Sequence, residues 1–175
     1  MSHTDDYLQR TLDTLRLANI VLTEDEQQRI EIATFGLPDY PASGLQLLTY
    51  LNSSRYCAKE LVLFPGQTCP EHRHPPFADT PGKQETFRCR WGEVYLFVDD
   101  PSLNQQDHCR LPEGSEAWYT CTRYVLLRPG EQYTIAPNTL HWFQAGESGA
   151  VVSEFSSESR DDLDIFTDPR VNRLA

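Results

Sequence analysis

Four residues of this chain, His72, His74, Glu85 and His141, have the types and spacing to hold one divalent metal ion. The first three stand in Gly66-Gln-Thr-Cys-Pro-Glu-His72-Arg-His74, then a ten-residue spacer, Glu85, and six residues before Gly92. The fourth ends Gly130-Glu-Gln-Tyr-Thr-Ile-Ala-Pro-Asn-Thr-Leu-His141. Residues i and i+2 of a strand point to one face, so His72 and His74 can aim two imidazoles at one point. Three neutral imidazoles and a carboxylate form a mixed nitrogen and oxygen shell suited to a first-row divalent ion. The other two histidines, His3 and His108, have no partner at ligand spacing and read as exposed or as satisfied in the core.

Two further residues could carry protons beside such an ion. Lys83 stands two before Glu85 and faces the same interior once the strand has begun. An amine beside a cation is pushed toward its neutral form. Glu154 lies in Ala150-Val-Val-Ser-Glu-Phe155, where alternation sets it on one face with Val152. A carboxylate on an apolar face is costly unless it is paired or functional. Glu93 and Glu71 are weaker alternatives, and Glu71, one residue before a ligand, should point away from it. Arg88, Arg160 and Asp168 are the candidates for substrate binding, the last two as residues that close a mouth, while Arg90, Trp142 and Phe143 read as wall or rim.

The scaffold for these side chains is predicted to be mainly β. Leu45–Leu51, Tyr56–Phe64, Glu85–Val98, Ala117–Leu127, Gln132–Ile135 and Ala150–Phe155 read as short strands separated by turn residues, the pattern of a sandwich or jelly roll. The proline-dense Pro75–Gly82 segment reads as a loop. Before Gly44 the pattern is helical. Tyr7, Leu8, Leu12, Leu15 and Leu17 form a rough stripe, and Thr23-Glu-Asp-Glu26 fits a capping box opening a second helix. That helix is predicted to run through Ile30 and Ala33 to Gly36-Leu-Pro38. Residues 1–43 are expected to form a helical segment packed on a barrel built by 44–175, one domain overall.

A chain of 175 residues is long enough to bury a substantial core, and its 39% hydrophobic and 23% charged content is that of an ordinary globular protein. The net charge of −11 argues against nucleic acid and against an anionic membrane surface, since both recruit Lys and Arg. The five cysteines include no C-x-x-C pair, the N-terminus has no signal-peptide pattern, and no apolar run could span a bilayer. These features predict a cytoplasmic protein with reduced, structural thiols.

The two glycine-and-histidine segments resemble the signature motifs of the cupins, small jelly-roll barrels that hold a metal with three His and one Glu. Gly66, His72, His74, Glu85 and Gly92 follow the first motif with a longer spacer. In the second, the Gly130-to-His141 distance is kept, Pro137 comes one place late, Asn138 stands where glycine is usual, and Ala145 replaces the terminal Asn. A finer resemblance is to the D-lyxose isomerases, sugar isomerases within the cupins. It rests on Arg73, on Pro75-Pro76, on Lys83-Gln-Glu85-Thr-Phe-Arg-Cys-Arg-Trp91-Gly92-Glu93-Val-Tyr95, and on the tail from Glu154 through Arg160 to Asp168-Pro.

This resemblance implies isomerisation of an aldose to a ketose through a cis-enediol, with a metal at the ligands and an acid/base pair to move the proton. It supports Lys83, since a lysine two before the Glu ligand is a feature of these isomerases, and Glu154 as its partner. The implied cofactor is Mn²⁺, with Fe, Co, Ni or Zn as other possible ions. The implied partners are a small sugar such as D-lyxose or D-mannose and, as is usual in cupins, a second copy of the chain in a homodimer. An Fe(II)-dependent dioxygenase with the same ligand shell and a non-catalytic sugar-binding cupin are the competing readings.

Overall fold

A computed structural model describes residues 3–103, 105 and 110–173, with only the backbone of His3 and Thr4. The readings of His108 and Cys109, and of the His3 side chain, lie outside the described residues. Helix α1 spans His3–Leu17 and α2 spans Glu24–Gln28. Nine strands follow: β1 Glu31–Ala33, β2 Leu45–Asn52, β3 Cys57–Leu63, β4 Thr68–Arg73, β5 Glu85–Val98, β6 Tyr124–Leu127, β7 Gln132–Ile135, β8 His141–Ser156 and β9 Ile165–Phe166.

Two long strands, β5 and β8, organise the barrel because each runs through both halves of one curled sheet. The first arm of β5 pairs with β7 and with the second arm of β8, beside which β3, β2 and β1 follow in that order, each paired with the one before. The second arm of β5 pairs with β6 and with the first arm of β8, which carries β4 and β9. The strands turn from one half of the curled sheet to the other at register shifts around Cys89–Trp91 and Gly92–Val94. Gly92 sits there at φ +68, and a Cβ on it would lie 2.0 Å from the Gly149 carbonyl oxygen. The glycine that closes the first motif is therefore needed for a backbone-on-backbone corner.

Alternation assigns each strand an inner and an outer face. Leu61, Leu63, Phe87, Cys89, Val94, Leu96, Phe143 and Val152 fill the space enclosed by the curled sheet. On the outside, Leu15 of α1 packs with Val62 and Val151, the residues of opposite parity. The jelly-roll expectation is met: the chain is mainly β, curled on itself, with the helices outside. Cys57, Cys69, Cys89 and Cys121 are free and buried.

Three local expectations are corrected. The capping box at Thr23 and Glu26 forms, but α2 ends at Gln28. Glu31, Ile32 and Ala33 instead pair with Leu47, Gln46 and Leu45, because a sheet edge offers this segment ladder bonds and places Ala33 in the core. The expected strand Ala117–Leu127 begins only at Tyr124. Upstream, the backbone N–H groups of Thr120 and Cys121 donate to the buried Glu71 carboxylate at 2.7 and 2.8 Å, so they are lost to any ladder. The expected strand from Ala150 is the second arm of a longer one that bends through Gly146–Gly149.

Candidate active site

β4 and β8 are paired so that His72 lies directly opposite His141. Glu85 opens β5, and His74 immediately follows β4. Glu85 Oε1 is 3.2 Å from His74 Nε2 and 2.9 Å from His141 Nε2. One ring nitrogen from each of His72, His74 and His141 lies within 4.8 Å of the others, and all three residues are buried. The Asn138 departure from the second motif is absorbed locally, since this residue adopts φ +56, a left-handed conformation that Asn tolerates better than most side chains.

The donor set fits a divalent cation. His72 Nδ1 donates to Pro70 O at 2.7 Å and His141 Nδ1 to Thr139 O at 2.9 Å, while His74 Nδ1 meets Asp164 Oδ1 at 2.5 Å. With Nδ1 engaged, each ring presents Nε2 inward, the arrangement that histidine ligands of metals adopt. His141 Nε2 is buried and makes no well-directed hydrogen bond, an orphan that a cation would satisfy. Burial, and then the neighbouring His141 and His74, hold His72 well below the usual histidine range, leaving a neutral ligand. Burial also opposes charge on His74, but Glu85 and Asp164 outweigh it and raise this group to about 9. Burial opposes the charge on Glu85, yet Lys83 and the histidines hold it well below the ordinary carboxylate value. The three-histidine cluster with its adjacent carboxylate is thus consistent with a divalent metal site.

Lys83 and Glu154 lie beside it. Lys83 Nζ is 2.8 Å from Glu85 Oε2 and 2.5 Å from Glu154 Oε1, and all three side chains are buried. Glu154 points inward from β8, opposite Phe87 of β5 and Lys59 of β3. Burial alone would lower Lys83, but the Glu154 and Glu85 carboxylates hold it well above the ordinary lysine value. Sequence reasoning weighed only the effect of a cation on this amine; its flanking carboxylates act in the opposite direction.

The other candidates separate. Arg160 stands at the mouth with its guanidinium 4.4 Å over the Phe77 ring. Arg88 does not join the site: it shares the outer parity of Thr86 and bonds Gln132 on β7 at 3.0 Å. Asp168 is buried but does not join either, because it is spent on Arg170, whose guanidinium lies 2.7 Å away and also bonds Ser115. Glu71 points away as expected, into the Thr120–Cys121 turn. Four charged residues that the sequence patterns did not single out also line the cavity: Lys59, Asp161, Asp164 and Arg173.

Two spaces meet at these groups. An inner one of about 40 Å³ touches His72, His74, Glu85, Lys83 and Glu154, room for something the size of an ion or a water or two. An outer one of about 390 Å³ reaches His74, Lys83 and Asp164 from the Pro75–Gln84 loop and from Arg160. The arrangement is a small charged chamber at the floor of a larger vestibule. Among the described residues, no helix is long and apolar enough to cross a membrane.

A buried chamber whose donor set fits a cation, carrying a paired ammonium and carboxylate, suits an enzyme that moves protons on a polarised carbonyl compound. Comparison with known proteins narrows this class. The family model described as D-lyxose isomerase matches residues 16–175. The D-lyxose/D-mannose isomerase of Thermosediminibacter oceani is 60% identical over 99% of this chain and 95% of its own length. The D-lyxose ketol-isomerase of Cohnella laeviribosi is 57% identical over 94% of this chain and 90% of its own. Among solved structures, the L-ribose isomerase of Cellulomonas parahominis with L-ribose superposes with a TM-score of 0.82, covering 98% of this chain and 94% of that one. At 21% identity that likeness establishes the shared fold. The chain belongs to the D-lyxose isomerase family. It is an aldose–ketose isomerase, an intramolecular oxidoreductase, which decides against the dioxygenase and non-catalytic readings.

Proposed function

We propose that this enzyme interconverts D-lyxose and D-xylulose, and also D-mannose and D-fructose, through a cis-enediol. His72, His74, Glu85 and His141 hold Mn²⁺, and Lys83 and Glu154 are the catalytic acid/base pair. The observation that carries the reading is the Lys83–Glu154 contact of 2.5 Å at the edge of the ligand cluster. The relatives named for D-lyxose support the substrate.

Isomerisation moves one proton between C2 and C1 and another between the two adjacent oxygens. Lys83 is the donor that can serve a sugar oxygen, and Glu154, at the other end of the ion pair, is the carboxylate that can exchange a proton with carbon. When bound, the metal supplies Lewis acidity for the adjacent oxygens. Lys83 faces both spaces, so a sugar entering through the vestibule meets it with its reacting end. Water-poor walls from Phe87, Phe143 and Phe166 strengthen every charge interaction in the chamber.

Mn²⁺ stands near the weak end of the divalent affinity order, so geometry and supply must select it, and Fe, Co, Ni or Zn can occupy the same donors in vitro. The enzyme acts in the cytoplasm as a homodimer. Leu51, Ala58 and Phe155 form one cross-strand row on the outer face of β2, β3 and β8, with Leu51 and Phe155 exposed, and this row offers a sheet surface for pairing. Light scattering at micromolar concentration should give twice the mass of one chain; a monomer mass refutes the dimer. For the activity, Mn²⁺-loaded enzyme should convert D-lyxose at the same rate with and without oxygen. Turnover that stops anaerobically would overturn the isomerase reading.

A further inference from the structure

The three imidazoles of the chamber are not held alike. His72 and His141 each orient their ring by donating Nδ1–H to a carbonyl two residues earlier in their own chain segment, Pro70 and Thr139. Their geometry is built into the strands that carry them. His74 lies beyond the end of β4, and its Nδ1 is met by Asp164, a residue far along the chain. Of the three imidazoles, this is the one whose Nδ1 is met by a separate segment.

That segment is a strap over the barrel mouth, running from Ser159 to Arg173. Lys59, buried and pointing inward from β3, bonds Ser159 Oγ at 2.9 Å and Asp161 Oδ2 at 2.8 Å. Arg173 reaches Asp161 at 3.3 Å from the far side and also pairs with Glu31. Beyond Asp164, β9 adds to the edge of β4, setting Phe166 opposite His72 with ring centroids 5.2 Å apart. Thr167 Oγ1 then donates to Glu71 at 2.7 Å, anchoring the strap to the residue beside His72. Asp164 is held between two anchors, Asp161 on one side and Phe166–Thr167 on the other. Its carboxylate is 7% exposed and borders both the chamber and the vestibule.

We infer that Asp164 is a positioning residue for the metal site: it sets the tautomer and direction of His74, and the Lys59–Asp161 ion pair sets Asp164. The inference rests on the reading of His72, His74, Glu85 and His141 as metal ligands. Partners that orient histidine ligands in this way typically change metal affinity or activity by about 10- to 100-fold when they are mutated. The effect here should fall on affinity, because an imidazole free to rotate or to present its other nitrogen no longer offers Nε2 to the ion.

The test is Mn²⁺ binding by titration calorimetry to the wild-type apoprotein and to Asp164→Ala, Asp164→Asn and Lys59→Met, with the melting temperature of each apoprotein taken alongside. Asp164→Ala should weaken Mn²⁺ binding about 10- to 100-fold. Asp164→Asn, which keeps an acceptor but loses the charge, should fall between it and wild type. Lys59→Met should weaken binding in the same direction although it touches no ligand. A purely structural role would lower the melting temperature and leave the affinity of the folded protein unchanged. Wild-type affinity in Asp164→Ala overturns the inference alone. A wild-type chain that binds no Mn²⁺, Co²⁺, Ni²⁺ or Zn²⁺ overturns the site reading, and the inference falls with it.

Discussion

The two ends of the chain use the barrel in opposite ways. The N-terminal helices lie on its outer surface, where Leu15 packs with Val62 and Val151, and neither α1 nor α2 contributes a side chain to the chamber or the vestibule. The C-terminal strap crosses the mouth and contributes Arg160, Asp161, Asp164 and Phe166 to those spaces. One end covers apolar surface; the other completes a site. Substitutions in the helices should therefore change stability without changing chemistry, whereas substitutions in the strap should change the chemistry as well.

The largest effect belongs to the floor on which the strap rests. Glu154→Gln should lower kcat by about 10²- to 10⁴-fold, the range for loss of a general acid or base, while metal binding survives. Steady-state kinetics on D-lyxose with a parallel calorimetric titration separates the two. Lys83→Met should lose kcat to a similar degree. It also strands Glu154 as a buried carboxylate and leaves Glu85 with only His74 and His141 beside it, a change that costs about 3–5 kcal/mol when one member of a buried pair is removed. Metal loading should therefore restore more stability to this variant than to wild type, as read by thermal unfolding with and without Mn²⁺.

At the N-terminal end, Leu15→Ala should cost about 2–5 kcal/mol of stability, the range for emptying a buried leucine site. kcat and KM of the folded fraction should stay at wild-type values. A change in Mn²⁺ affinity there would break the contrast between the two ends. The capping box offers a smaller version of the same test: Thr23→Ala should cost about 0.5–2 kcal/mol in denaturant unfolding, with no kinetic effect.

The smallest expected effect is a difference in acid sensitivity. Burial opposes charge on Asp161, but Lys59, Lys83 and the Ser159 hydroxyl hold it below the ordinary carboxylate range. A depressed folded value means that its contribution is complete above the unfolded value of about 3.9 and fades as pH falls below it. Wild-type apoprotein should thus lose melting temperature between pH 4 and 2.5, roughly the window below that unfolded value, more steeply than Asp161→Asn does. Parallel curves would show that the strap is not held by this charge.

Much of this was legible in the sequence, and the reason is parity. The bounds of β5 and β7 match the alternating runs Glu85–Val98 and Gln132–Ile135, and Glu154 was singled out as a carboxylate sharing a face with Val152. Lys59 likewise shares its parity with Cys57, Leu61 and Leu63, so alternation alone marks it as inward-facing. Parity likewise turns Arg88 outward with Thr86, against its assignment to the sugar. Asp161 and Asp164 were not legible. In Arg160-Asp-Asp-Leu-Asp164 they read as a solvated acidic run, and only the pairing of β9 with β4 reveals that the run lies over His74. Asp168 shows the converse: the tail carries acidic groups with different fates, and spacing alone does not say that this one is spent on Arg170.

The central claim is that proton transfer by Lys83 and Glu154 beside a bound ion interconverts an aldose and a ketose. The most direct test is to incubate the Mn²⁺-loaded enzyme with D-lyxose in D₂O without oxygen and follow the products by NMR. The account predicts D-xylulose carrying deuterium at C1, the mark of a carbon-bound proton passed through a base that exchanges with solvent. Failure to convert either D-lyxose or D-mannose, with calorimetry showing the metal in place, would contradict it.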